Sequence, residues 1–313
     1  MTIVNVPSAE KLNDLALALY FDAWERLYRI HESFLNFYPG KASSWPNEWK
    51  KYTEASSRDF ETIINLVAQS AEIAMKSKLC SVSPFLLLLG QGLSFKRVDG
   101  ELDFSELRTI DSVDLPGVVN AFCPEKLTDS FIQDFNKVRR LRNKSVHLGE
   151  ASESIDPRYV VDVLVNFFHH LWGEGNFFSE WVRISSRDPH FLFDDGSGGD
   201  SRSRVLDSLD IILEIITKSQ FKKITGVSKS KRRYYCFRCT AKGKSDYKDY
   251  FFEDSCKTAY LLDGEDQIYC FMCKGRFDII REKCDDCGCP GDVISSPHIK
   301  CDFHCHSCGR DRE

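Results

Sequence analysis

The sequence predicts a mainly α protein: an antiparallel helical bundle followed by a small β-rich domain built on four-cysteine zinc ribbons. Three observations carry that expectation. Apolar residues recur at helical spacing in long stretches of the first 185 residues, no alternating strand stands out there, and eleven of the thirteen cysteines fall between Cys236 and Cys308.

The helices follow in order. From Ser8 to Tyr38 the apolar positions Leu12, Leu15, Leu19, Leu27, Ile30 and Phe34 mark one face, and Pro39-Gly40 stops the pattern. A second helix is expected from Arg58 to Cys80, carrying Phe60, Ile63, Ile64, Val67, Ala71 and Leu79. The third spans Thr128 to Leu148 and is closed by Gly149; the fourth runs from Pro157, suited to a first helical position, to Trp172. The Gly/Ser-rich stretch DDGSGGDSRSR reads as a flexible connection, and VLDSLDIILEIIT beyond it is amphipathic. These features divide the chain into a bundle over 1–190, a linker with an amphipathic helix and a basic tract over 191–233, and a ribbon domain over 234–313.

With 313 residues and 42% hydrophobic content the chain is long enough for two packed domains. A formal net charge of -5 argues against non-specific coating of nucleic acid, so any such contact must be local. The N-terminal MTIVNVPSAEKLNDL has no basic region followed by an apolar core, and the apolar runs are too short to span a bilayer. Thiols arranged in C-x-x-C pairs suit a reducing compartment. A soluble cytoplasmic protein with no membrane partner is expected.

Four C-x-x-C pairs stand in the last quarter: Cys236/Cys239, Cys270/Cys273, Cys284/Cys287 and Cys305/Cys308. Each pair can direct two thiolates at one metal at about 2.3 Å, and two successive pairs complete a tetrahedron. Taken in order they give two structural Zn2+ sites per chain. All-thiolate sites are closed, with no open position for chemistry. Cys256, Cys289 and Cys301 are spare, and His298, His304 or His306 could replace a thiolate, so the pairing is not unique. Cys80 and Cys123 are expected to be small buried apolar residues. Between the cysteines, TAYLL, QIYC and FDII read as short strands bracing the ribbons.

The tract KSQFKKITGVSKSKRRYY precedes the first pair. Its Lys229, Lys231, Arg232 and Arg233 are candidate phosphate contacts, and Phe221, Tyr234 and Tyr235 could stack bases. A solvated linker is the competing reading.

Chemistry is expected at the end of the third helix, in VRRLRNKSVHLGE. Asn143 and His147 are four residues apart and share a helix face, with Arg142 one step around. The helix C-terminus favours a protonated His147 while Arg142 opposes it, a balance suited to an acid/base residue. Arg26 and His31 repeat the Arg/His spacing on the first helix without the Asn or the helix end, and are expected to be surface residues. His169 and His170, beside Phe167, Phe168 and Trp172, are expected to serve packing.

The stretch LRNKSVHLG resembles the R-x4-6-H motif of the HEPN superfamily, including the Asn that often follows the Arg. The segment QSAEIAMKSKLCSVSPFLLLL is similar to the helix of such domains that carries a Glu followed four residues later by a Lys, here Glu72 and Lys76. The resemblance covers about residues 8–180. It implies an all-α homodimer whose two Arg/His motifs face one cleft, and a metal-independent endoribonuclease of the kind found among toxins and anti-phage defence effectors, with RNA as substrate and an antitoxin or regulator as partner. It assigns His147 as the acid/base residue for attack of the ribose 2'-OH. Arg142 would stabilise charge on phosphorus, Asn143 would orient phosphate or histidine, and Glu72 would be a further site member. The products would be 2',3'-cyclic phosphate and 5'-OH ends. The alternative is a non-catalytic scaffold of the same fold whose zinc ribbons bind nucleic acid or a protein partner.

Overall fold

The computed structural model describes residues 2–88, 100–145, 155–173, 175–189, 201–239, 257–264, 266–284, 294–295 and 305–309. It is mainly helical, with a small antiparallel sheet near the C-terminus. Its internal contacts separate two units, Met1–Trp172 and Gly173–Glu313.

The first unit contains α1 (Ala9–Phe37), α2 (Pro46–Ala55), α3 (Ser57–Val82), α4 (Leu115–Phe122), α5 (Asp129–Asn143) and α6 (Pro157–Trp172). Ser8 caps α1 by accepting a hydrogen bond from the Lys11 N–H at 3.2 Å, which fixes the start that the sequence pattern indicates. Helix α3 lies at the centre, packed against α1, α4, α5 and α6. Its apolar face buries Phe60, Ile63, Val67, Ala71 and Leu79 completely or nearly so. The Ser70 hydroxyl donates to the Ala16 carbonyl and the Ser77 hydroxyl to that of Ala9, each at 2.7 Å. Two turns forward on α3 thus correspond to two turns back on α1, so the pair is antiparallel, and the small serines let the backbones approach.

One polar chain crosses this core. The Tyr20 hydroxyl donates to the Leu164 carbonyl of α6 at 2.8 Å and accepts from the Trp24 indole N–H at 2.7 Å. Both side chains are buried, and burial pushes the Tyr20 phenol well above its ordinary pKa, which keeps it a neutral donor.

Two expectations need correction here. The sequence shows no strand in this part, but Thr2–Val4 (β1) pairs in parallel with Glu101–Asp103 (β2). Three residues are too few for alternation to register. His31, expected on the surface, is 7% exposed. Its Nδ1 lies 3.0 Å from the Leu27 carbonyl and its ring 4.6 Å from that of Trp49. Helix α2 is thus what covers a polar position of α1, which a single-helix pattern does not reveal. Arg26 remains exposed.

Helix α5 begins on Thr128, whose hydroxyl accepts from the Phe131 N–H at 3.3 Å, and ends at Asn143 with a wider π turn at 144–145. The expected end at Leu148 and Gly149 lies outside the described residues. Helix α6 has the bounds that the sequence predicts.

The second unit carries α7 (Phe177–Ser185), α8 (Ser201–Ile215) and α9 (Lys218–Thr225), then strands β3 (Arg233–Tyr234), β4 (Ala259–Leu261), β5 (Gln267–Cys270), β6 (Arg276–Ile280) and β7 (Ile294–Ser295). The strands pair in chain order, all antiparallel, with Tyr260 opposite Tyr269 and Ile268 opposite Phe277. Phe271, just past β5, gathers Phe178 at 5.0 Å, Phe221 at 5.7 Å and Tyr260 at 5.9 Å between ring centroids. So α7 and α9 pack on the sheet, and the described part of 191–233 is largely helix with a buried face. Helix α9 is set by a capping box in which Thr217 and Gln220 bond each other's backbone N–H. No helix among the described residues is long and apolar enough to cross a membrane.

Candidate functional site

Helices α3 and α5 bring together four of the polar residues that the sequence singles out. Arg142 Nη1 lies 3.3 Å from Glu72 Oε2, and Lys76 Nζ lies 3.0 Å from Glu72 Oε1. Arg142 Nη2 is 3.5 Å from the side-chain oxygen of Asn143. The side chains of Arg142, Glu72 and Lys76 are 25%, 21% and 20% exposed, so the trio is partly withdrawn from solvent without being sealed. Two cationic heads share one carboxylate, which leaves positive character for an incoming anion. Both Arg142 contacts are longer than the 2.7–2.9 Å usual for charge-assisted hydrogen bonds. Glu72 therefore orients the guanidinium without saturating it.

His147 lies outside the described residues, and its relation to Arg142 with it. A neighbouring contact was not anticipated: the Ser145 hydroxyl donates to Glu61 Oε2 at 3.4 Å. Glu61 and Glu72 are eleven residues apart on α3, three turns, and so share one face. That spacing is the signal that could have marked Glu61. Partners rise along α5 as they fall along α3, so these two helices are also antiparallel.

His170 serves structure. His170 Nδ1 contacts the Asn166 carbonyl at 2.8 Å and Nε2 the Thr128 hydroxyl at 2.9 Å, tying α6 to the start of α5. Cys80 and Cys123 are buried as expected, and burial pushes the Cys80 thiol up to about 11.

In the second unit Cys236, Cys239, Cys270 and Cys273 point their sulfurs within 4.8 Å of one another, as do Cys284, Cys305 and Cys308; Cys287 lies outside the described residues. The first two pairs are thus brought together in order, and Cys284 is brought to the pair Cys305/Cys308. Sγ–Sγ separations of 3.7 Å between Cys236 and Cys273 and between Cys239 and Cys270 suit a common ion. A tetrahedron with zinc–sulfur bonds of 2.3 Å has edges of about 3.8 Å. Cys284 and Cys308 are 4.0 Å apart. Four thiols this close compete for their protons, because each thiolate formed opposes ionisation of its neighbours. A divalent cation relieves that conflict by taking all four as thiolates.

Around the first cluster the Cys273 N–H donates to Cys270 Sγ at 3.5 Å, and the Thr258 hydroxyl lies 3.2 Å from the same sulfur. Gly275 is required beside it, since a Cβ there would fall 2.2 Å from Phe277 Cζ.

Comparison with models of protein families, with curated proteins and with solved structures finds no match.

The basic tract is partly used by the fold. Lys229 Nζ donates to the carbonyls of Leu213 and Ile216, closing the end of α8. Arg233 donates to the Lys257 carbonyl at 3.2 Å, and Lys231 pairs with Asp263 at 2.5 Å. Arg232 lies over the Tyr234 ring at 5.2 Å. Phe221, Tyr234 and Tyr235 are at most 6% exposed, so the expectation that they stack bases is corrected. They fill the interior of this unit instead. The exposed cations of the tract are Lys218, Lys222, Lys223, Lys231 and Arg232.

Proposed function

We propose that the helical unit is a HEPN-like endoribonuclease acting as a homodimer, and that the cysteine unit, folded on two structural zinc ions, helps hold RNA or a protein partner. One observation carries the reading: the Glu72–Arg142 pair joins two segments 70 residues apart in sequence, the same two that the resemblance selects. Within it, His147 takes the proton from a ribose 2'-OH as that oxygen attacks the adjacent phosphorus. The bond from phosphorus to the 5'-oxygen breaks, and the 5'-oxygen leaves with a proton returned from the histidine or from water. Arg142 balances the charge that develops on the phosphoryl oxygens, with its planar fork aimed by Glu72. Asn143 orients phosphate or histidine, and Lys76 adds positive potential. The products are 2',3'-cyclic phosphate and 5'-OH ends, and no step needs a metal. The cysteine clusters keep a structural role because their donors are used up in holding the ion.

The test is cleavage of a structured and an unstructured RNA by the full chain, with the 3' ends mapped chemically. Cyclic phosphate ends that disappear in Arg142→Lys support the reading, since an ammonium lacks the planar fork. A non-catalytic scaffold is favoured instead by the use of Lys229 and Arg233 on backbone carbonyls, where they brace the fold. Full-length protein that binds RNA or a partner but leaves every RNA intact establishes that second reading.

A further inference from the structure

The two cysteine clusters are joined by a short bridge that ligates nothing. Tyr235, next to the ligand Cys236, donates its N–H to the His306 carbonyl at 2.7 Å, and His306, next to the ligand Cys305, places Nδ1 2.7 Å from the Tyr235 carbonyl. A carbonyl only accepts, so Nδ1 carries the proton in this contact. His306 is fully buried, and Tyr235 is 4% exposed. The same knuckle makes a second contact with the same residue: a Cβ on Gly309 would lie 3.3 Å from the Tyr235 ring, so glycine lets the 305–309 turn lie flat on it. His306 is thereby occupied, and the clusters placed to hold a metal contain only cysteines among the described residues.

We propose that these contacts make the two clusters one cooperative metal-binding unit, in which an ion in either cluster raises the affinity of the other. The ligand class is a thiophilic divalent ion, zinc foremost. Metal at Cys236, Cys239, Cys270 and Cys273 fixes the backbone of Tyr235. That presents both halves of the reciprocal hydrogen bond to the second knuckle, which then closes around its own ion with less ordering still to be done. The reverse holds equally, because coupling between two sites is reciprocal. Two buried hydrogen bonds and a ring contact correspond to a coupling of about tenfold.

The inference rests on the reading that both clusters hold metal, and the experiment separates the two. Reduced, metal-free full chain is titrated with Zn2+ and its species are counted by native mass spectrometry. Two ions at saturation establish the sites; fewer than two fails that reading alone. At half-loading, independent equal sites give the one-metal species about half of the population, whereas tenfold coupling lowers it to about a quarter. His306→Leu restores random loading, while His306→Asn, which keeps a donor near the Nδ1 position, retains the depletion. A one-metal species at half or more in the wild type overturns the proposal. If His306→Leu holds no metal, the first cluster is titrated in Cys308→Ser, which breaks the second. There the affinity should be about tenfold weaker than in the wild type, and unchanged affinity also overturns it.

Discussion

The two units of this chain reach a fixed structure by different means. In Met1–Trp172 large side chains such as Trp24, Phe34, Phe60, Phe131 and Phe168 are completely buried, and the helices are held by the removal of apolar surface from water. In Gly173–Glu313 the strands are two to five residues long, too short to be stable as a sheet alone. There the buried apolar faces of α7, α8 and α9 and a ring cluster around Phe271 are supplemented by sulfur clusters. The first strategy spreads stability over many contacts, none decisive. With metal in its clusters, the second would concentrate part of its stability in a few atoms that a chelator can reach.

The largest expected effect exploits this asymmetry. Structural zinc contributes on the order of 10 kcal/mol per site, so metal removal under reducing conditions should unfold the second unit and leave the first intact. Hydrogen exchange resolves the two: protection lost over β4 to β6 and kept in α3 is the expected pattern, and uniform protection after chelation would falsify the metal-held half of the comparison. The converse break is Phe60→Ala, which should lower the stability of the helical unit by about 3–5 kcal/mol without changing bound metal, read by thermal melting beside metal analysis.

Acid tests the helical unit through a single buried group. Burial holds the His31 pKa down to about 4 from an ordinary 6.5. Between those values the unfolded chain binds the extra proton, so His31's contribution is full above pH 6.5 and is lost as pH falls towards 4. The loss amounts to about 3 kcal/mol, and a wild type whose stability falls no more steeply over that window than His31→Gln sinks the assignment. Removing the proposed acid/base residue by His147→Ala should slow RNA cleavage on the order of 100-fold, equivalent to about 3 kcal/mol, in protein that melts normally. A short assay with EDTA should not reproduce that loss. His31→Ala should have the opposite profile, a lower melting temperature with cleavage retained in the folded fraction. The smallest effect is expected on the other unit's surface. Changing Lys231 and Arg232, both exposed, to Ala should flatten the salt dependence of RNA binding by about one to two in log–log slope, and an unaltered slope leaves the tract a purely structural element.

Where a helix is long and buries one continuous stripe, the sequence was sufficient to read it. The expected range Ser8 to Tyr38 differs from α1 by a residue at either end, and α6 matches. The 3.6-residue period has many turns over which to declare itself there. It fails for β1 and β2, three residues each, because their pairing depends on a partner about 100 positions away. It also fails at His31, since burial by α2 is a tertiary event. The grouping of seven of the eight paired cysteines into two clusters was legible because metal geometry constrains spacing tightly. By contrast, the burial of Tyr234 and Tyr235 could not be read from a tract that looks basic and soluble. Glu72, Lys76, Arg142 and Asn143 were chosen on a motif, and the fold brings those four together; Glu61 and Ser145 stood on the same faces unnoticed.

The Tyr20 hydroxyl between Trp24 and Leu164 has a consequence for uniqueness more than for strength. Apolar faces slide past one another at small cost, because one methyl group replaces another. A buried hydroxyl that must find one carbonyl and one indole admits a single register of α1 against α6. Displacement by half a helical turn, about 2.7 Å, would part the hydroxyl from its carbonyl acceptor in a medium without water, while the Trp24 indole, on the same helix, would move with Tyr20. Tyr20→Phe would thus remove little net free energy while widening the set of alignments the bundle visits, an effect to be sought in line broadening of α6 amides and not in the melting temperature.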